Sequence, residues 1–269
     1  GHASELAAQA HQAGFSPIIA AGGDSTYSEV ANGILQDINV KGFPPLGIMP
    51  MGTANDLADN LGIPKNLNQA AEVIAINNIV FIDVLQVNQR YFLNNSGLGL
   101  ESVVTLTQSK MKHIRGTFRY LLATLLTIAR KPQWNMKLTW DTGSYNGPVT
   151  MVSVGNNPRT GGLFYTVPNA SPLNGKLTFV YGCVESRLEV LRVLPQTMKP
   201  AGEGSYINHP NVHEIETQEL TIKSTPATPF HADGEIISEA IQELSYKIFP
   251  AKLPILLPKA FESVLATSN

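Results

Sequence analysis

The chain has 269 residues, 43% hydrophobic and 15% charged, enough apolar mass for one large core or two ordinary ones, and no tract reads as disordered. A formal net charge of -2 speaks against a general nucleic-acid binder, and a single cysteine, Cys183, excludes an internal disulfide and fits a reducing cytoplasm. The opening residues Gly1-His2-Ala3-Ser4-Glu5 show no basic stretch followed by an apolar one, so no signal peptide is expected. No apolar run reaches the length of a membrane span; the longest, residues 120–129, is about half of it.

Leu6, Ala7, Ala10 and Ala13 recur at helical spacing and Gly14 ends the run, which predicts a helix over residues 4–13. A buried strand follows at 17–21, then a helix at 28–35 with Val30, Ile34 and Leu35 inward. Next come a strand at 46–50, a short helix at 56–61 stopped by Gly62 and Pro64, and a helix at 67–76. Strands alternating with helices at this spacing predict a Rossmann-like parallel sheet with helices on its faces. The pattern changes after about residue 80. Residues 80–87, 90–95, 136–140, 149–154 and 177–180 read as strands, with one strong helix at 117–130. Turn signals are dense at Asp141-Thr142-Gly143, Asn146-Gly147-Pro148 and Asn174-Gly175. A helix near 188–198 and strands at 219–223 and 241–249 complete a second, β-rich and antiparallel domain over 81–250.

Two segments carry chemistry. Gly22-Gly23-Asp24-Ser25-Thr26 and Gly52-Thr53-Ala54-Asn55-Asp56 each follow an apolar strand and precede a helix. Glycines there let backbone approach an anion closely, and the helix N-terminus behind them offers unpaired N–H groups. An Asp inside a phosphate loop repels the phosphate unless it holds a cation or a water on one. The pair therefore points to a metal-dependent phosphotransferase.

These segments, with Glu29 after the first and Leu57-Ala58 after the second, and the late Ala232-Asp233-Gly234-Glu235, resemble the diacylglycerol kinase catalytic family; bacterial lipid kinases of the YegS type look closest. Lesser matches are Asn94-Asn95-Ser96-Gly97-Leu98-Gly99, Gly155-Asn156, Gly161-Gly162 and Pro168-Asn169-Ala170 leading to Asn174-Gly175-Lys176-Leu177. The resemblance implies an α/β nucleotide-binding domain over 1–80, to which residues 251–269 return, and a β-sandwich-like lipid domain, with ATP in the cleft between them.

It also implies roles. Gly22, Gly23, Asp24, Ser25, Thr26, Glu29, Thr53, Asn55 and Asp56 would bind the nucleotide, the first loop through the N–H groups of Gly23, Ser25 and Thr26. Asp24 would hold Mg²⁺, directly or through water, since hard cations prefer oxygen ligands. Asp56 has a second reading, as the cap of its own helix. Glu235, or Asp233 acting with it, would take the proton of the acceptor hydroxyl; the other reading of Asp233-Gly234-Glu235 is a hairpin turn with two solvated acids. His231 either tunes that motif or is a plain strand residue. Lys110, Lys112, His113, Arg115 and Arg119 precede an apolar helix, a face for anionic lipid headgroups or merely a solvated one.

Three departures from the family pattern stand out. Ser25 replaces a glycine, at a cost if that position needs a positive φ. The family opens with a strand and an Asn-Pro phosphate loop before the helix at Ser4, so the sheet is expected to show a bare edge. Some bacterial members hold a structural divalent ion at the loop matching residues 171–176 through an Asp, where this chain has Asn174, an oxygen ligand without charge. The resulting expectation is an ATP- and Mg²⁺-dependent kinase of a glycerolipid, cytoplasmic and peripheral to the membrane. A non-catalytic nucleotide- or lipid-binding member and a soluble-substrate kinase related to NAD kinase remain as rivals.

Overall fold

A computed structural model describes all residues except 41, 112–115, 131–132, 185 and 262–269; within residues 116–121 only the backbone is described. Helix α1 (His2–Gln12) precedes strand β1 (Ile18–Gly22), and α2 (Asp24–Ile34) leads to β2 (Leu46–Pro50). Then come α3 (Asp56–Asn60) and α4 (Leu67–Ile76), the latter capped by the Asn66 side chain, which accepts from the amides of Asn68 and Gln69.

The second half begins with β3 (Ile79–Val87), β4 (Arg90–Phe92) and β5 (Asn95–Gly99). Helices α5 (Leu100–Lys110) and α6 (Gly116–Arg130) follow, then β6 (Trp134–Trp140), β7 (Gly143–Val149), β8 (Met151–Gly155) and β9 (Leu177–Gly182). Helix α7 (Arg187–Val193) continues into a 3-10 helix (Leu194–Met198), and a second 3-10 turn (Tyr206–Asn208) precedes β10 (Val212–Thr217), β11 (Glu219–Ala232) and β12 (Glu235–Leu256). The α/β first part and β-rich second part expected from the sequence are both present.

All twelve strands among the described residues join one sheet whose main path runs β1-β2-β12-β11-β5-β8-β9-β10. The β1–β2 pair is parallel, β12 meets β2 in parallel through Ile255 opposite Leu46, and the other pairings are antiparallel. Strand β1 lies at the end of that path. The long strands switch partners: β11 pairs with β6 early and β5 late, and β12 pairs with β11 early and with β3 late.

Two main apolar clusters lie around these shared strands. The first joins Tyr27, Ile34, Leu46, Ile48 and Leu57 to Ile82, Val84, Leu253, Ile255 and Leu257. The second takes Leu85 and Val87 from β3 together with Phe92, Phe179, Leu220 and Tyr246. Asp83, buried in the same strand, accepts from the amides of Gly175 and Ala251, each at 2.7 Å, and so ties the 171–176 loop to the irregular stretch of β12.

The structure differs from the sequence reading in several places. One strand over 90–95 is two strands broken at Leu93-Asn94. Strands β7 and β10 and helix α5 were not predicted. The helix expected at 28–35 begins earlier, at Asp24, and the strands expected at 219–223 and 241–249 extend to fourteen and twenty-two residues.

Ile255 is fully buried where β12 closes the first cluster. Ile255→Ala should lower the unfolding free energy by about 2–5 kcal/mol, read from urea denaturation, because the surrounding side chains collapse only partly onto the space left.

Candidate active site

The two glycine segments face one another. The backbone amide of Met51 donates to the carbonyl of Gly22 at 2.7 Å, and a Cβ added to Gly52 would sit 2.4 Å from the Gly23 Cα. Glycine is therefore needed at 52 for close approach of two backbones. Asn55, in the left-handed region at φ 52°, fixes the second loop: its Oδ1 accepts from the amide of Gly52 (2.9 Å) and its Nδ2 donates to the Gly52 carbonyl (3.0 Å). The buried Tyr27 hydroxyl donates to the Gly22 carbonyl at 2.7 Å and lies 3.2 Å from Asn55 Oδ1, so it joins both loops.

Helix α2 starts at Asp24, so the first loop runs directly into its first turn. Thr26 N–H is committed to the Gly23 carbonyl at 2.9 Å, which removes it from the predicted set of phosphate donors. The amides of Gly23, Asp24 and Ser25 carry no hydrogen bond among the described residues and remain at the positive end of an eleven-residue helix. Ser25 is helical with negative φ, so the strain considered for it does not arise. Thr53 is exposed on the second loop. Glu29 turns away, accepting from the amide of Ala3 and the amino group of Gly1, both at 3.2 Å, and so belongs to the α1–α2 contact.

A relay of carboxylates links the halves of the chain. Asp24 accepts from the backbone amides of Asp56 (3.0 Å) and Leu57 (2.9 Å), so it caps α3 from another segment. Asp56 does not cap its own helix; its carboxylate accepts from Gly161 and Gly162, each at 2.6 Å. Arg159, beside that pair, donates to Asp59 at 2.7 Å, and Asn60 donates to Asn94 Oδ1 and to the Arg159 carbonyl, both at 3.1 Å. The Gly161-Gly162 turn is thus drawn onto the Asn55-Asp56 segment.

The late acidic motif arrives from the other side. Asp233 and Gly234 form the two-residue turn joining β11 to β12, both with positive φ, as Asp-Gly hairpins require. The turn reading is correct, but Asp233 is not solvated. It is buried and accepts from the amides of Leu93 (3.1 Å) and Asn94 (2.9 Å), the two residues that interrupt β4 and β5. Glu235 begins β12, is half-buried, and pairs with Arg90 at 2.6 Å. His231 faces elsewhere: its Nε2 lies 3.2 Å from Glu101 of α5, whose other carboxylate oxygen accepts from Ser153.

The field around Asp24 unites these groups. Burial pushes the Asp56 carboxyl up to about 6, with the Asp24 charge adding to the rise and the amides of Gly162 and Gly161 opposing it. Burial also pushes Asp233 to about 6, against the amides of Leu93 and Asn94, and Asp24 again contributes. The Tyr27 hydroxyl is raised by burial and then by Asp24. One carboxylate therefore acts on groups from the first loop, the second loop and the late motif.

This excess of negative charge suits a cation. Among the described residues no three His, Cys, Asp or Glu side chains come together closely enough to cage a metal. The residues fit an ion held by Asp24 with phosphate oxygens and water completing its shell, the usual habit of Mg²⁺. At the other predicted metal position, Asn174 Oδ1 accepts from the amide of Lys176 at 3.0 Å and its Nδ2 donates to Glu216 at 3.0 Å. The Lys176 ammonium stands 3.2 Å from that same Glu216, so β10 supplies the carboxylate that both loop side chains meet.

The sequence reading missed Tyr27, Arg90 and the amides of Leu93, Asn94, Gly161 and Gly162. Asn94 and the Gly161-Gly162 pair figure in the sequence only among the lesser family matches, with no partner assigned to them. Lys112, His113 and Arg115 lie outside the described residues, and Lys110 stands 3.7 Å from Glu239.

Comparison with known proteins matches residues 1–87 to the diacylglycerol kinase catalytic domain and residues 95–257 to the YegS C-terminal NAD kinase beta sandwich-like domain. The chain is 31% identical over 262 residues to a protein of Escherichia fergusonii named probable lipid kinase YegS, covering 96% of this chain and 83% of that one. It is 31% identical over 236 residues to a diacylglycerol kinase of Staphylococcus saprophyticus, covering 87% and 75%. A solved diacylglycerol kinase structure from Bacillus anthracis str. Sterne superposes with a TM-score of 0.73 at 20% identity, covering 96% and 82%, and shares the fold.

The folded-state value of about 6 for Asp56 stands above its ordinary 3.8, so the folded chain holds this proton longer than the unfolded chain. Stability tied to Asp56 is whole below about pH 4, falls as pH rises toward about 6, and stays low above that. In urea titrations, wild type should lose about 2–3 kcal/mol relative to Asp56→Asn across that window.

Proposed function

The chain belongs to the diacylglycerol kinase catalytic family with a YegS-type second half, and we propose that it is an ATP- and Mg²⁺-dependent kinase that phosphorylates a hydroxyl of a glycerolipid such as diacylglycerol or phosphatidylglycerol. The observation that carries this reading is a chain of contacts between the first glycine loop and the late acidic turn: Asp24 holds the start of α3, Asn60 at the end of α3 donates to Asn94, and the Asn94 amide donates to Asp233.

Phosphoryl transfer asks the protein mainly to align donor and acceptor and to place charge. The amides of Gly23, Asp24 and Ser25 supply donors for phosphate oxygens at the α2 N-terminus. Thr53, exposed beside them, is free to meet the nucleotide, while Asn55 and Tyr27 keep the two glycine loops in register. When bound, Mg²⁺ would neutralise charge on the phosphates, and Asp24, whose oxygens each keep a lone pair beyond the amides of Asp56 and Leu57, would hold it directly or through water.

The two acids of the late motif divide the remaining work. Asp233 spends both oxygens on backbone amides and so fixes the Leu93-Asn94 break. Glu235 has one oxygen on Arg90 and its other without a hydrogen bond among the described residues, on a side chain that solvent reaches. It is the group we assign to receive the hydroxyl proton as the phosphate arrives. Asp56 serves as a positioning residue, bringing the Gly161-Gly162 turn to the mouth of the site. No helix among the described residues is long and apolar enough to cross a membrane. We place the work of the protein at the cytoplasmic surface of a bilayer, where its acceptor resides.

Radiolabelled ATP with Mg²⁺ and a mixed lipid extract should yield a labelled phospholipid. Asp24→Ala and Glu235→Gln should each lower that yield by about 100-fold or more. Label on NAD or a sugar phosphate in place of lipid would overturn the acceptor assignment, and ATP binding without any labelled product would overturn catalysis.

A further inference from the structure

Helix α7 and the 3-10 helix that continues it are apolar on two opposite sides. On the inner side Val190, Val193 and Leu194 border an apolar cavity of about 60 Å³, closed from below by Leu100, Met151 and Tyr206. On the outer side Leu188 is 67% exposed, Leu191 38% and Met198 43%. A row of large apolar side chains on a helix is normally covered. Here, among the described residues, the outer row has no cover.

The neighbouring helix extends the same surface. Helix α6 packs against α7 and presents Leu125 at 44% and Leu126 at 40% exposure, while its Ala123, Thr124, Thr127 and Ile128 are buried. Five large apolar side chains on α6, α7 and the 3-10 helix that continues α7 make a patch rather than scattered exposure. The unpaired charges on these elements are cations. Arg130, Arg187, Arg192 and Lys199 are all exposed, and none has an ion-pair partner among the described residues. The acid on α7, Glu189, lies 3.1 Å from His209, and Glu203 is exposed in the following loop.

We propose that the α6–α7 face seats the protein on an anionic bilayer, with Leu188, Leu191 and Met198 entering the headgroup–acyl boundary and Arg187 and Arg192 meeting lipid phosphates. This deepens the lipid-kinase reading, on which it rests for the nature of the occupant. Apolar side chains framed by cations are complementary to a negatively charged membrane surface. A second copy of the chain fits less well, because a two-fold contact through this face would set its arginines against each other. The side chains of this face substituted in its test all lie on α7, outside the basic segment at 110–119.

The test uses the whole chain and two vesicle preparations, pure phosphatidylcholine and phosphatidylcholine enriched in phosphatidylglycerol. Wild type should sediment with the second and not the first. Leu188→Glu with Leu191→Glu, and separately Arg187→Glu with Arg192→Glu, should each weaken that binding by about 10-fold or more. Lys137→Glu, an exposed cation on β6, should leave it unchanged. Phosphorylation of a dispersed short-chain diacylglycerol should be the same in all variants. Full vesicle binding by both double variants would overturn the assignment of this face even if lipid phosphorylation is confirmed. A dimer of the wild type that Leu188→Glu dissociates would also overturn it, in favour of a second copy. Vesicle binding lost in the variants while no lipid is phosphorylated by wild type would leave the docking face standing and remove the kinase reading instead.

Discussion

Four aspartates impose the same constraint at four places: each spends its carboxylate on two backbone amides distant from it in the chain. Asp24 grips the start of α3, Asp56 the Gly161-Gly162 turn, Asp83 the amides of Gly175 and Ala251, and Asp233 those of Leu93 and Asn94. A charged acceptor makes stronger hydrogen bonds than a neutral one, and two donors on one group fix direction as well as distance. Irregular backbone near the site is thereby held without regular secondary structure. Losing one such acceptor would strand two amides, a heavier cost than losing an ordinary contact.

The same economy crowds negative charge. Asp24 adds to the rise of Asp56 and of Asp233, and the cations nearby are engaged: Arg90 by Glu235, and Arg159 by Asp59. Such a site resists closing around a phosphorylated ligand unless a cation comes with it, since bare phosphate would meet carboxylate.

Much of this was legible in the sequence, and what was hidden has physical reasons. Strand β2 and helix α4 coincide with their predicted bounds because apolar spacing and flanking breakers agree there. Helix α5 was invisible because Val103, Val104, Thr105 and Thr107 read as strand formers, and its burial against the sheet overrides that preference. Strand β7 was hidden by Asn146-Gly147-Pro148, residues tolerated there because, among the described residues, β7 pairs only with β6. The acids of the site announced themselves through their motifs. Their partners are main-chain amides, which leave no mark on residue identity, so the folding-over of Gly161-Gly162 and the break at Leu93-Asn94 were not readable.

The first apolar cluster is completed by Leu253, Ile255 and Leu257, though its other fully buried members all precede residue 94. During synthesis, then, the earlier segment emerges from the ribosome with its interior unfinished and must wait for the rest of the polypeptide before it can close. Such long-range closure is slow and leaves greasy surface available to chaperones or to misassembly in the interval. Truncations that spare every catalytic side chain but remove this last strand should therefore fail in biogenesis before they fail in chemistry.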